Sequence, residues 1–197
     1  IARYRQWFTL RNFFLWLDRL HKFAELFARR GVHPFRKPEL PTAERWTLER
    51  FDGSDGLAAI FPAMLNSLIA LKSLGYPDDH PEVVRAVHEL KKLEHETKDS
   101  VRIEPCFSPV WDTAIVAMCL AESGISGEHP MMRKAGEWLM GKEIRFRGDW
   151  KYKNPANVEP SGWVFEYNNK WNPDVDDTAM VLLALRQIPT GNRRKRD

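Results

Sequence analysis

Cysteine is scarce in the 197-residue sequence: Cys106 and Cys119 stand alone and form no CxxC pair. That excludes a disulfide-stapled fold and suits a reducing compartment. No apolar run reaches the roughly 20 residues that a membrane-spanning helix needs. The longest, Leu57 to Leu71, is broken by Pro62, Asn66 and Ser67. There is no signal-peptide pattern and no phosphate-binding loop, since Asn168-Asn169-Lys170 is a poor cradle. No stretch alternates as a strand does; Gly162-Trp-Val-Phe-Glu-Tyr167 reads at most as a short extended segment. The chain opens at Ile1 and closes on Arg193-Arg194-Lys195-Arg196, so both ends read as cuts in a longer protein.

What is present is apolar and aromatic. Hydrophobic residues make up 43%, aromatics 12% and charged residues 29%, which excludes a disordered chain and allows one domain or two small ones with a real core. The net charge of +3 is unevenly spread. Residues 1–37 carry Arg3, Arg5, Arg11, Arg19, Lys22, Arg29, Arg30, Arg36 and Lys37 against only Asp18 and Glu25. Trp7, Phe8, Phe13, Phe14, Trp16, Phe23 and Phe27 lie among them. Three readings of such a basic, aromatic helix are open. It packs on protein with its arginines reaching to water. It lies in a membrane interface, aromatics dipped and cations over anionic headgroups. Or it binds nucleic acid, against which stand the missing recognition motif and the acidic remainder of the chain.

Beyond residue 56 the pattern is helical and repeats. Leu57 to Leu71 is apolar nearly all round, as a buried helix is. Gly75-Tyr-Pro-Asp breaks it, and Pro81 starts an amphipathic helix with Val83, Val84, Val87, Leu90 and Leu93 on one face. Trp111 to Leu120, a break at Gly124–Pro130, and Met131 to Met140 repeat the pair. A third apolar helix spans Asp176 to Ile188, opening on Asp177-Thr-Ala-Met-Val as the second opens on Asp112-Thr-Ala-Ile-Val. Alternating buried and half-exposed helices predict an all-α fold, a partial α/α toroid of helix hairpins.

The least ordinary string is Asp174-Val-Asp176-Asp177, three carboxylates at the mouth of an apolar helix. Crowded like charges raise at least one pKa, and a carboxyl that keeps its proton near neutrality can act as an acid. A plain N-cap cluster and a Mg2+ site are the competing readings. Trp163, Phe165, Tyr167 and Trp171 precede the cluster, and Trp111 starts another apolar helix. Aromatic faces stabilise cations without offering a lone pair that would trap a carbocation. An acid beside such a lining suits protonation of an alkene.

Asp174-Val-Asp-Asp-Thr-Ala179 resembles the DxDD acid motif of class II terpene cyclases. With Val32-His-Pro-Phe35, Asp55-Gly-Leu-Ala-Ala-Ile-Phe-Pro62, Ser108-Pro-Val-Trp-Asp-Thr113, Lys134-Ala-Gly-Glu-Trp-Leu139, Gly148-Asp-Trp150 and Gly162-Trp-Val-Phe-Glu-Tyr167, the order is similar to bacterial squalene–hopene cyclases. The resemblance implies two α/α toroids, with residues 1–107 holding an interfacial helix and the end of the non-catalytic toroid, and 108–197 starting the catalytic one. It implies Asp176 as the acid that protonates squalene, flanked by Asp174 and Asp177. Trp111, Phe165 and Tyr167 would line the cavity, Ile60 its entrance side, and Glu166 stands where a Gln is common. It further implies no cofactor and no metal, attachment of residues 1–30 to the cytoplasmic face of a bacterial membrane, no nucleic-acid partner, and a possible homodimer at full length. The repeated Gln and Trp of the family are missing from Arg50–Leu57, which predicts weaker bracing there. The downstream half of the cavity has no counterpart, so this chain by itself is expected to be inactive.

Overall fold

A computed structural model describes residues 9–28, 36–154 and 157–189. Among them are seven α-helices and one two-stranded hairpin: α1 (Leu10–Ala28), α2 (Arg36–Glu49), α3 (Phe61–Ser73), α4 (Pro81–Lys92), β1 (Glu94–Glu96), β2 (Val101–Ile103), α5 (Pro109–Glu122), α6 (Pro130–Gly141) and α7 (Val175–Arg186). The mostly helical fold agrees with the sequence pattern; the antiparallel β1–β2 hairpin, all of it exposed, was not foreseen. Residues 1–45 and 46–197 form two compact units.

The first unit contains α1. Leu10, Phe13, Phe14, Trp16, Phe23 and Phe27 are all exposed along it. Phe13 meets Phe14 edge-on at 5.7 Å and Phe23 meets Phe27 at 4.9 Å. Asp18 pairs with Lys22 one turn on, at 2.7 Å. Trp7, Phe8 and Val32-His-Pro-Phe35 lie outside the described residues.

In the second unit, α3 pairs with α4 and α5 with α6, and α7 packs on α5 and α6. Val110, Ala114, Ala117, Leu139, Val181 and Leu185 centre one core; Phe51, Leu71, Val83 and Ala86 form a smaller one under α3 and α4. The small alanines let α5 and α7 approach closely. Where the sequence predicts a helix from Leu57, the chain instead makes a 3-10 turn over Leu57–Ala59 and starts α3 at Phe61. Pro62 is the cause. In the first turn of α3 its missing N–H costs nothing, whereas a helix from Leu57 would set its ring against the carbonyl of Ala58. The apolar helices are not buried all round either: Ile69 on α3, Val116 on α5, and Leu182 and Leu183 on α7 are exposed.

The two hairpins close on the same device. After α3, Gly75 takes φ 91°, with Tyr76 N–H on Leu71 O and Gly75 N–H on Lys72 O, both 3.1 Å. After α5, Gly124 takes φ 92°, with Ile125 N–H on Leu120 O and Gly124 N–H on Ala121 O, both 3.0 Å. These are Schellman ends, which satisfy the last helix carbonyls and need a left-handed residue. Each loop then enters the next helix through a His-Pro step: His80 Nδ1 accepts from Glu82 N–H, and His129 Nδ1 from Met131 N–H.

The missing Gln and Trp do not leave the 50–57 loop slack. Arg50 is buried, with its guanidinium 3.9 Å from the Trp46 ring and 4.6 Å from the Trp171 ring. It donates to both Asp149 carboxylate oxygens and, at 2.8 Å, to Trp46 O. Trp171 Nε1 donates to Asp52 O at 2.9 Å and Lys170 Nζ to Asp52 at 2.6 Å. This corrects the expectation of weak bracing: a stacked arginine with bidentate partners does the work.

Nothing lies within 4 Å of a Cβ built on Gly124, so Gly124→Ala tests backbone conformation alone. It should cost about 1 kcal/mol and lower Tm by roughly 2–4 °C in a thermal melt.

Candidate active site

The acid cluster is set by one buried tryptophan. Trp163, 2% exposed, donates its indole N–H to Leu139 O at 2.6 Å. Its backbone N–H donates to Thr178 Oγ1 at 3.0 Å, and its carbonyl accepts from Asp174 N–H at 3.2 Å. The strap through Gly162–Tyr167 is thereby pinned between the end of α6 and the start of α7. Space at Gly162 is tight, since a Cβ would sit 3.1 Å from Thr178 Oγ1 and 3.2 Å from Pro173 Cβ.

The three carboxylates have three different environments. Asp174 is the N-cap of α7 and accepts from Asp177 N–H at 2.8 Å. Asp176, one residue inside, is exposed. Asp177 is only 3% exposed, and its Oδ1 is buried without a hydrogen-bond partner among the described residues. Burial first, then a hydrogen bond shared with Asp174 and the charges of Asp174, Glu166 and Asp176, push Asp177 from 3.8 up to about 8. Crowding contributes to this shift, after burial. The carboxyl that burial keeps protonated is Asp177, whereas Asp176 faces outward from the same turn. N-capping and acid storage are not rivals here, since Asp174 does the first and Asp177 the second.

The aromatics divide as well. Trp111 and Phe165 are half-buried and stand 6.0 Å apart with planes tilted by 37°. Val110 N–H donates to Phe165 O at 3.3 Å, so the strap that pairs with Asp174 also fixes this ring pair at the start of α5. Tyr167 is exposed, and its carbonyl accepts from Lys142 Nζ at 2.9 Å. Ile60, also exposed, is held from another side by pairing with Cys106. Glu166 is buried, and burial raises its pKa above the usual carboxylate range. It lines a cavity of about 400 Å³ with Ala59, Met64, Leu93 and Phe107. A second hollow of about 430 Å³ lies beside Asp174, between Phe146, Trp150, Val158 and Leu182. Among the described residues no three His, Cys, Asp or Glu side chains are grouped to hold a metal ion. None of the described helices is long and apolar enough to cross a membrane. Sequence reasoning missed Trp163, Thr178 and Asn169 as supports; the tight Gly162 was the available signal for the first two.

The family model of the squalene-hopene cyclase N-terminal domain matches residues 1–99, and that of the C-terminal domain matches residues 107–197. A dammaradiene synthase of Dryopteris crassirhizoma is 41% identical over 174 residues, covering 88% of this chain and 25% of its own. Squalene–hopene cyclases of Zymomonas mobilis (38% over 183 residues) and Alicyclobacillus acidocaldarius (37% over 182 residues) cover 89% and 91% of this chain, and 27% and 28% of their own. The chain thus spans about a quarter of the length of these curated relatives.

Asp177 binds its proton more tightly folded than unfolded. Its contribution to stability is complete below about pH 4 and drains away as the pH climbs through about 8. Asp177→Asn keeps an N–H donor toward Asp174 but cannot ionise. It should flatten the Tm–pH curve over that window and leave the variant more stable than the parent at pH 8, read by thermal melts.

Proposed function

The chain belongs to the squalene–hopene cyclase family, and from that membership we propose that it carries the proton donor of a triterpene cyclase that closes squalene into a hopanoid-type skeleton. The observation that supports this reading is the joint anchoring of the acid cluster and the Trp111–Phe165 pair by one strap, Gly162–Tyr167.

Asp176 is assigned the delivery of the proton on the strength of the DxDD resemblance; the sequence reading expected it to be enclosed, and its exposure here departs from that, while the buried member of the turn is Asp177. The Asp176 O–H bond breaks as the terminal alkene takes the proton. A tertiary carbocation forms and a carboxylate remains. Successive alkenes then attack the cation, and the last cation is quenched by loss of a proton or capture of water. Asp174 and Asp177 hold the turn and supply hydrogen bonds around the acid. Trp111 and Phe165 present π-faces to the migrating charge, each worth about 0.5–2 kcal/mol when desolvated. Ile60 and Tyr167, both exposed, are assigned to the substrate side by the family resemblance. The reaction needs no cofactor, and a fixed cavity controls it by orientation and electrostatics. The change of family domain between residues 99 and 107 supports a toroid boundary near Phe107.

The exposed aromatics of α1, with Arg11, Arg19 and Lys22 on the same helix, support attachment to an anionic bilayer surface, from which an apolar substrate would be drawn.

In the full-length protein, Asp176→Asn should lower squalene turnover by at least about 10³-fold, with unchanged helical circular dichroism. Retained turnover defeats the assignment, and preference for geranylgeranyl diphosphate over squalene would redirect it to a diterpene cyclase. For the bilayer, changing Phe13, Phe14, Trp16 and Phe23 to Ser should weaken salt-sensitive sedimentation with anionic liposomes, and unchanged binding would leave α1 a protein-packing surface.

A further inference from the structure

The hydroxyl of Thr178 is used twice where the strap meets α7. Oγ1 accepts from Trp163 N–H at 3.0 Å and donates to Asp174 O, four residues back, at 2.5 Å. A backbone N–H can only donate, so the hydroxyl proton has to lie toward Asp174. The rotor is thereby fixed, and this hydroxyl has no proton left for the carboxylates beside it. The fit is close: a Cβ on Gly162 would stand 3.1 Å from the same oxygen.

Trp163 and Asp174 are antiparallel partners, and Asp174 N–H donates to Trp163 O at 3.2 Å. In a regular antiparallel pair the return bond runs straight from one N–H to the other C=O. Here Asp174 is also the N-cap of α7, and its carbonyl accepts from Thr178 N–H at 3.4 Å. The Thr178 hydroxyl stands between Trp163 N–H and that carbonyl and carries the return bond. A threonine that only bonds back to the carbonyl four residues before it acts within its own helix. One that also accepts from another segment joins two elements. Hydrogen bonds then run on into the acid cluster, since Asp174 Oδ1 accepts from Asp177 N–H at 2.8 Å. In the other direction Phe165 O accepts from Val110 N–H at 3.3 Å, and the Phe165 ring stands 6.0 Å from Trp111. The turn that carries Asp176 and Asp177 is thus held against the ring pair by a two-bond bridge, and one of its bonds passes through a side chain.

We propose that Thr178 is a positioning residue: its hydroxyl, relaying the hydrogen bond from Trp163 N–H to Asp174 O, fixes the carboxylate-bearing turn of α7 against the Trp111–Phe165 pair. The role in catalysis rests on the reading of α7 as the acid-bearing helix; the relay itself does not. Valine has the shape of threonine without the hydroxyl, so Thr178→Val leaves Trp163 N–H without its acceptor. Thr178→Ser keeps the hydroxyl and gives up only a methyl group.

Two measurements on the full-length protein test this. Hydrogen exchange at the Trp163 amide, read by mass spectrometry on overlapping peptides, should be about tenfold faster in Thr178→Val and within about twofold of the parent in Thr178→Ser. Squalene turnover should follow the same order. In Thr178→Val, kcat should fall roughly tenfold with KM within about twofold, because the apolar lining is untouched, and Thr178→Ser should restore most of it. Unchanged exchange in Thr178→Val overturns the relay. Equal loss of kcat in the Val and Ser variants assigns the effect to the methyl group and overturns it as well. Faster exchange with unchanged kcat leaves a purely structural bond and overturns the positioning role. If Thr178→Val does not fold, Thr178→Cys, whose thiol is a weak acceptor, takes its place with the same expectations. Should Asp176→Asn retain turnover, the acid assignment falls while the exchange rates still decide the relay.

Discussion

Three hydrogen bonds on one buried residue organise the site. Trp163 ties its indole to the end of α6, its backbone N–H to Thr178 inside α7, and its carbonyl to Asp174 at the mouth of α7. Each bond removes a polar group that would otherwise be orphaned in the core, so none can be given up cheaply. Everything chemical in the chain is positioned relative to this point. Phe165, two residues on, is held against Trp111, and Glu166, one further on, is buried against the cavity lined by Ala59 and Met64. A site built in this way depends little on the long helices beyond the directions of their ends.

The helix N-terminus and the burial act in opposite senses on the same three carboxylates. The free N–H groups of α7 favour negative charge, and Asp174 uses them by capping. Desolvation favours the neutral form and prevails at Asp177. One turn of helix thus supports a capping acceptor, a buried carboxyl and an outward-facing carboxyl. That separation of roles over four residues explains how a cluster of like charges persists at the edge of an apolar core.

Much of the architecture was readable beforehand. Pro81 at the start of α4 and the glycines after α3 and α5 mark helix limits by steric rules that hold whatever the tertiary context, whereas Pro62 was read as an interruption and not as the start of α3. The acid string was equally legible, because three carboxylates before an uncharged apolar run are expensive unless used. What periodicity does not encode is which carboxyl turns inward: Asp176 and Asp177 are neighbours in sequence and opposite in burial. The bond from Asn169 to Ala58 and the stacking of Arg50 on Trp171 were hidden for a related reason, since they join residues far apart along the chain. The absent Gln and Trp were visible, but the substitute for them was not.

The bracing of Arg50 also bears on how the chain acquires its shape during synthesis. Helices α3 and α4 can close on each other as soon as both exist. The loop before them cannot, because Asp149 follows Arg50 by 99 residues and Lys170 follows Asp52 by 118. A nascent chain therefore carries Arg50 with only its local partner Trp46, and without Asp149 and Trp171, until residues 149–171 have been made. The earlier helix pair is made first and locked last, and a ribosome stalled before Trp171 would release a product whose first hairpin stays unclasped.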